Sequence, residues 1–218
     1  MTDPTTIMYT GLTEAYDYFN EHLFEDGLPH CLITFQRKRA TRGYFSRQRF
    51  TSRDGSEIVD EIALNPTHFK DRTVPQILST LAHEMCHLRQ HQFGQPSRAG
   101  YHNKEWAGMM RDIGLIPSHN GEPGGRSTGQ RVSHYIEQGG DFDRVCGELI
   151  ASGMTIRYVE LRDTKKACKK AESKTKYTCP ACGLNAWGKP AISLRCENCD
   201  QVLISSDLSQ SQGIGGRS

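Results

Sequence analysis

Residues 80–88 read TLAHEMCHL. His83 and His87 are four residues apart, so on a helix they lie on one face, one turn from each other. Two imidazoles so placed can bind one metal ion, and Glu84 between them can reach a water at that ion without being a ligand. Metal-assisted peptide hydrolysis uses this arrangement: zinc polarises carbonyl and water, and the carboxylate serves as base. The surrounding pattern predicts the helix. Val74, Ile77, Leu78, Leu81, Met85 and Leu88 form one apolar stripe over 74–92. Pro75 suits its first turn, and Gly94 and Pro96 stop it. One face of this helix is left for a site and the other for a core.

A catalytic zinc needs a third protein ligand and an open fourth position. His91 continues the i+4 series, but it lies about 12 Å along the axis from His83. His102, past a Gly/Pro turn, can fold back from a second segment and is the preferred third ligand. Around the motif, Leu12, Tyr16, Phe19, Leu23 and Phe24 predict a helix over 11–25. Residues 31–35, 41–50 and 57–65 read as strands, the last two separated by the turn signal Arg53-Asp54-Gly55-Ser56. Further helices are expected at 104–113 and 142–152. The Gly-, Pro- and Ser-rich stretch 114–130 reads as a loop, and a mobile lid is one role for it.

The chain has eight cysteines. Cys179-x2-Cys182 and Cys196-x2-Cys199 are two knuckles that can wrap one tetrahedral ion. Four thiolates close its coordination, so this zinc is expected to be structural. Ile192–Leu194 and Val202–Ile204 read as the strands of a ribbon of about 30 residues, too small to fold without metal. Cys31, Cys86, Cys146 and Cys168 are scattered and read as small apolar residues or free thiols.

At 218 residues, the length allows one domain plus a small module. No apolar run approaches the ~18 residues of a membrane span. Met1–Thr6 lacks the basic and apolar regions of a secretory signal, so a cytoplasmic protein is expected. The formal net charge is +2, but it is unevenly spread. Residues 1–30 hold six acids and no Lys or Arg, whereas 37–53 hold seven basic residues. A second basic run includes Lys165, Lys166, Lys169, Lys170, Lys174 and Lys176, which are candidates for contact with nucleic acid. Tyr177 and Trp187 are candidates to stack on bases or to pack the small core.

The HEMCH motif, followed by Gly100-Tyr101-His102-Asn103-Lys104-Glu105-Trp106, resembles the SprT-like metalloproteases, which include the Spartan proteases that degrade proteins crosslinked to DNA. Members carry a third zinc histidine in a short motif, often Gly-His-Gly, with an aromatic four residues later, here Trp106. Ile62-Ala63-Leu64-Asn65-Pro66 resembles the family's last strand before the motif helix. Asn103 stands where Gly is common. The resemblance covers residues 10–115, and a C-terminal ribbon is frequent among bacterial members. It implies an α+β, zincin-like domain over 1–160; charge, cysteine spacing and composition add a basic linker over 161–176, a four-cysteine zinc ribbon over 177–206 and a disordered tail over 207–218. The strand near 57–65 would border the cleft and could pair with an extended substrate.

The expected function is therefore a zinc metalloendopeptidase associated with DNA, with one catalytic and one structural zinc. Its catalytic zinc ligands are His83, His87 and His102, its base is Glu84, and its substrates are proteins bound or crosslinked to DNA. Tyr101 is a candidate oxyanion stabiliser only because it adjoins His102. Two alternatives stand beside this reading. One is a nucleic-acid-binding, transcription-related regulator with little protease activity. The other is a protease directed at one protein partner.

Overall fold

The computed structural model describes residues 3–161 and 174–205. The chain divides into two units, Met1–Leu161 and Arg162–Ser218. The linker lysines 165, 166, 169 and 170, Cys168 and the tail expected over 207–218 lie outside the described residues. Among the described residues no helix is long and apolar enough to cross a membrane.

The first unit is mixed α+β. Helix α1 spans Pro4–Phe24, seven residues longer at its start than the apolar periodicity indicates. Asp3 caps it by accepting from the Thr5 and Thr6 amides, Pro4 occupies the first turn, and Met8 packs on the core while Tyr9 packs on Phe35. Strands β1 (Leu32–Phe35), β2 (Gly43–Thr51) and β3 (Ile58–Leu64) form one sheet in the order β1-β3-β2. β1 runs parallel to β3, and β2 runs antiparallel to it. The strand near 57–65 is therefore central and hydrogen-bonded on both sides. It cannot pair with a substrate, and β2 is the edge strand that lies against the motif helix. A bulge between Ser46 and Phe50 interrupts β2. The carboxylate of Asp60 holds it by accepting from the Gln48 amide at 2.6 Å.

After a short 3-10 turn at Pro66–His68, helix α2 runs Val74–Phe93. Thr73 and Gln76 form a reciprocal capping box at its start. Strand β4 (Tyr101–His102) and helix α3 (Lys104–Asp112) follow. The stretch expected to be a loop instead contributes β5 (Leu115–Ser118) and β6 (Gly129–Gln130), with β7 (Ser133–Ile136) just beyond it. β5 pairs with β7, and β6 pairs with β4. Helix α4 covers Asp141–Ala151. Phe19 of α1, Ile62 of β3, Leu78, Leu81 and Met85 of α2, Trp106 of α3 and Phe142 of α4 meet in one core.

The second unit contains β8 (Thr175–Thr178), β9 (Asn185–Gly188), β10 (Arg195–Cys196), β11 (Gln201–Val202) and β12 (Ile204–Ser205). β12, β8 and β9 form a three-stranded sheet, and β10 and β11 pair with each other. Ile192–Leu194 is irregular rather than a strand, and Leu203 falls between two short strands, its amide donating to the Leu194 carbonyl. The apolar content there comes from Tyr177 and Leu203 packed with Cys179 and Cys196.

Candidate functional site

The turn of α2 carrying the motif is largely buried: β2 and α3 flank it, β7 brings His134 to His83, and α1 and α4 also pack against the helix. His83 and His87 sit one turn apart, as their spacing requires. His102 arrives on β4, whose pairing with β6 sets His102 opposite Gly129. One nitrogen from each of His83, His87 and His102 lies within 4.8 Å of the others. The Nε2 atoms of His87 and His102 are 3.2 Å apart. Nitrogens bound tetrahedrally to one zinc at roughly 2.0–2.1 Å are about 3.3 Å apart, so this pair already has a ligand spacing. The three histidines are compatible with zinc.

The return of the chain from α2 to His102 is held by polar side chains. Gln90 donates to Asn103 Oδ1 at 2.8 Å and to Glu105 Oε2 at 2.6 Å. Glu105 also accepts from the Gln95 amide, and Asn103 donates to the Gln95 carbonyl. Trp106, fully buried, packs its indole against all three histidine rings, with centroids 4.2 Å from His102, 4.8 Å from His83 and 5.1 Å from His87. Its position four residues after His102, one helical turn into α3, delivers the ring there. Its indole nitrogen has no hydrogen-bond partner among the described residues.

Burial sets the electrostatics. The imidazoles resist protonation: His83 is held well below its ordinary value by burial and by the neighbouring histidines, and His87 is pushed down to about 3 by burial and by His102. Burial also lowers His102. Neutral imidazoles are what a metal requires of its ligands. Glu84 is pushed up to about 8 by burial, opposed by a hydrogen bond from the Phe45 amide of β2. A carboxyl that exchanges its proton near neutral pH suits general acid–base work. β2 comes this close because residue 43 is glycine. A Cβ there would stand 2.8 Å from Thr80 Cγ2, 3.0 Å from the Ala63 carbonyl oxygen and 3.2 Å from Glu84 Oε1.

His91 does not join the cluster; its Nε2 lies 4.0 Å from Asp60, and its ring faces Phe45. Tyr101 lies on the face of β4 opposite His102, exposed and beneath the Arg98 guanidinium, so it is not placed as an oxyanion stabiliser. His134 has no motif to announce it, yet its Nδ1 lies 3.0 Å from His83 Nδ1. Burial, with the Arg72 and Arg42 guanidiniums, pushes it down to about 3. Only the pairing of β5 with β7 brings it there, 51 residues from His83 in the chain.

In the second unit, one sulfur from each of Cys179, Cys182, Cys196 and Cys199 lies within 4.8 Å of the others. Cys182 and Cys196 Sγ are 3.7 Å apart. That is too long for a disulfide and close to the ~3.8 Å between thiolates sharing one zinc at about 2.3 Å. Tyr177 is 3 % exposed and donates to the Lys189 carbonyl, so it packs the small core and is not free to stack. Trp187, 62 % exposed, pairs across β8 and β9 with exposed Lys176. Lys174 is also exposed.

Comparison with known proteins gives the family of the first unit. A Salmonella typhimurium protein, described as an uncharacterized protein in the mucB 3′ region, is 52 % identical over 59 residues, covering 27 % of this chain and 80 % of that protein. The SprT-like family model matches residues 12–123, which include most of α1, the three-stranded sheet, the motif helix and all three clustered histidines. The chain belongs to the SprT-like family.

Proposed function

We propose that the chain is a zinc-dependent metallopeptidase with a zincin-like site that cleaves proteins bound or crosslinked to DNA. The observation that carries this reading is the convergence of three neutral histidine nitrogens within 4.8 Å, beside a buried carboxyl on the same helical turn. His83, His87 and His102 would hold the ion, which when bound supplies Lewis-acid polarisation of a peptide carbonyl and of water. Glu84 takes the proton of the attacking water and returns it to the departing amine. The open edge of β2 beside Glu84 offers main-chain donors and acceptors to an extended peptide. Trp106 excludes water from behind the histidines.

We assign the four cysteines to a structural zinc in a ribbon module that follows a basic linker. DNA association is supported by the basic runs at 37–53 and 162–176 and by the exposed Lys176–Trp187 pair. The test uses zinc-loaded protein and its Glu84→Gln variant, each incubated with a DNA-binding protein with and without single-stranded DNA. DNA-stimulated cleavage by the wild type alone is expected, with Glu84→Gln keeping its zinc and losing at least ~10²-fold in rate. Cleavage indifferent to DNA would replace this substrate class with a protein partner. Tight DNA binding without cleavage would replace the enzyme with a regulator.

A further inference from the structure

The chain of hydrogen bonds behind His83 runs in one direction, fixed at its far end by Ser79. Ser79, one turn before His83 on α2 and buried, lies with Oγ 3.0 Å from the Gln76 carbonyl oxygen. A carbonyl only accepts, so Ser79 donates to it. The same Oγ is 2.9 Å from His134 Nε2, and with its own proton committed it accepts, so Nε2 carries a hydrogen. The other ring nitrogen of a neutral His134 is then an acceptor, and it faces His83 Nδ1 at 3.0 Å. His83 must therefore be the tautomer protonated at Nδ1, which leaves Nε2 with its lone pair free. Burial and the nearby Arg42 and Arg72 guanidiniums oppose a second proton on His134. His134 is not itself a member of the cluster within 4.8 Å, and both its nitrogens are engaged.

We propose that His134, backed by Ser79, is a positioning residue that fixes His83 in the tautomer and ring orientation required to bind metal through Nε2. Metal-bound histidines commonly donate their second nitrogen to an acceptor that orients them, most often a carboxylate or a carbonyl. Here an imidazole takes that place, its own tautomer fixed by a serine on the ligand's helix. The proposal rests on reading the three histidines as a metal site.

The test compares wild type, His134→Phe, His134→Gln and Ser79→Ala as full chains. Zinc affinity is measured by competition with a chromophoric chelator. The visible spectrum of the cobalt-substituted protein separates the histidine site from the cysteine site, whose thiolate charge-transfer bands serve as internal reference. Melting of the chelator-treated proteins reports folding. His134→Phe is expected to weaken the histidine site about 10–100-fold and to alter its cobalt spectrum, leaving the cysteine site unchanged. His134→Gln should recover most of the loss, because an amide can accept from His83 and donate to Ser79. Ser79→Ala should weaken binding less, and it carries the test should His134→Phe not fold. Wild-type affinity in both His134→Phe and Ser79→Ala, or no rescue by His134→Gln, would overturn the positioning role. A wild type that takes no metal at its histidines would overturn the site reading itself, and this role with it.

Discussion

The close approach of β2 to α2 at Gly43 makes a signed prediction. Replacing a strand glycine by alanine ordinarily stabilises a protein by about 0.4–1 kcal/mol, through the unfolded chain. At position 43 the added methyl would sit 2.8 Å from Thr80 Cγ2, whereas carbon atoms pack comfortably at about 3.5–4.0 Å. Thr80 cannot easily turn away, because its Oγ1 accepts from Arg72 at 2.8 Å. The Ala63 carbonyl, at 3.0 Å, is backbone of the central strand. The edge strand must therefore back off from the helix. Overpacking of this kind costs about 1–3 kcal/mol. For a unit of this size that is a melting temperature roughly 2–12 °C lower. Gly147, exposed on α4 with nothing within 4 Å of its added methyl, is the control. Gly147→Ala gains helix propensity of up to about 1 kcal/mol and should melt about 2–4 °C higher. The assay is thermal unfolding of the zinc-loaded full chain by far-ultraviolet circular dichroism, with peptidase rates measured in parallel. Gly43→Ala melting at or above the wild type, while Gly147→Ala rises as expected, would refute the packing of β2 onto Glu84.

Other outcomes follow from the same geometry. In chelator-treated protein, Glu84 titrates at about 8 when folded and near 4.5 when unfolded, so the folded chain binds the extra proton and stability falls as pH rises through that window. His87 and His134, near 3 when folded and 6.5 when unfolded, act in the opposite sense, and stability falls as pH drops below about 6.5. Melting temperature should therefore peak between about pH 6 and 7, and Glu84→Gln should flatten the alkaline side; a monotonic profile would contradict both. Cys199→Ser should lower bound zinc from two to one per chain and shift Trp187 emission without changing the melting of the helical unit, and metal analysis would expose an error. Trp106→Ala should cost about 3–5 kcal/mol in denaturant unfolding. Trp106→Phe should cost much less, because it also removes an unpartnered buried N–H.

The motif helix is legible because three independent signals coincide on it: the apolar stripe from Val74 to Leu88, the proline at its start and the glycine after its end. His102 is legible for a different reason: a second histidine some residues beyond the helix end is the one placed to fold back. The periodicity reads α1 short because its first turns are set by the Asp3 cap and Pro4 and bury Ile7 and Met8 only in part. The hairpin of β5 and β7 escapes such a reading because Pro117 and the glycines between the strands mask short segments whose pairing is decided by tertiary contact. His134 escapes it for the same reason, since nothing local marks a residue whose role depends on a partner 51 positions away. The central place of β3 depends on a parallel pairing with β1, and strand alternation carries no information about order within a sheet. In the second unit the cysteine spacing is sufficient to find the cluster; of the two apolar triplets, Ile192–Leu194 forms no strand and Val202–Ile204 is divided between β11 and β12.

The polar lacing of Gln90, Gln95, Asn103 and Glu105 sets a chronology. The segment between His87 and His102 is already closed by hydrogen bonds among protein groups, so the entropy of closing it is met before any ion arrives. There the polypeptide would come first and the ion second, so a chelator is expected to empty the site and a salt to refill it without the chain being rebuilt. The cysteine unit, with little more than Tyr177 and Leu203 to bury, would invert that sequence, an ion at its four cysteines being the first step of assembly. One chain thus offers one site built before its ion and one that would be built by it.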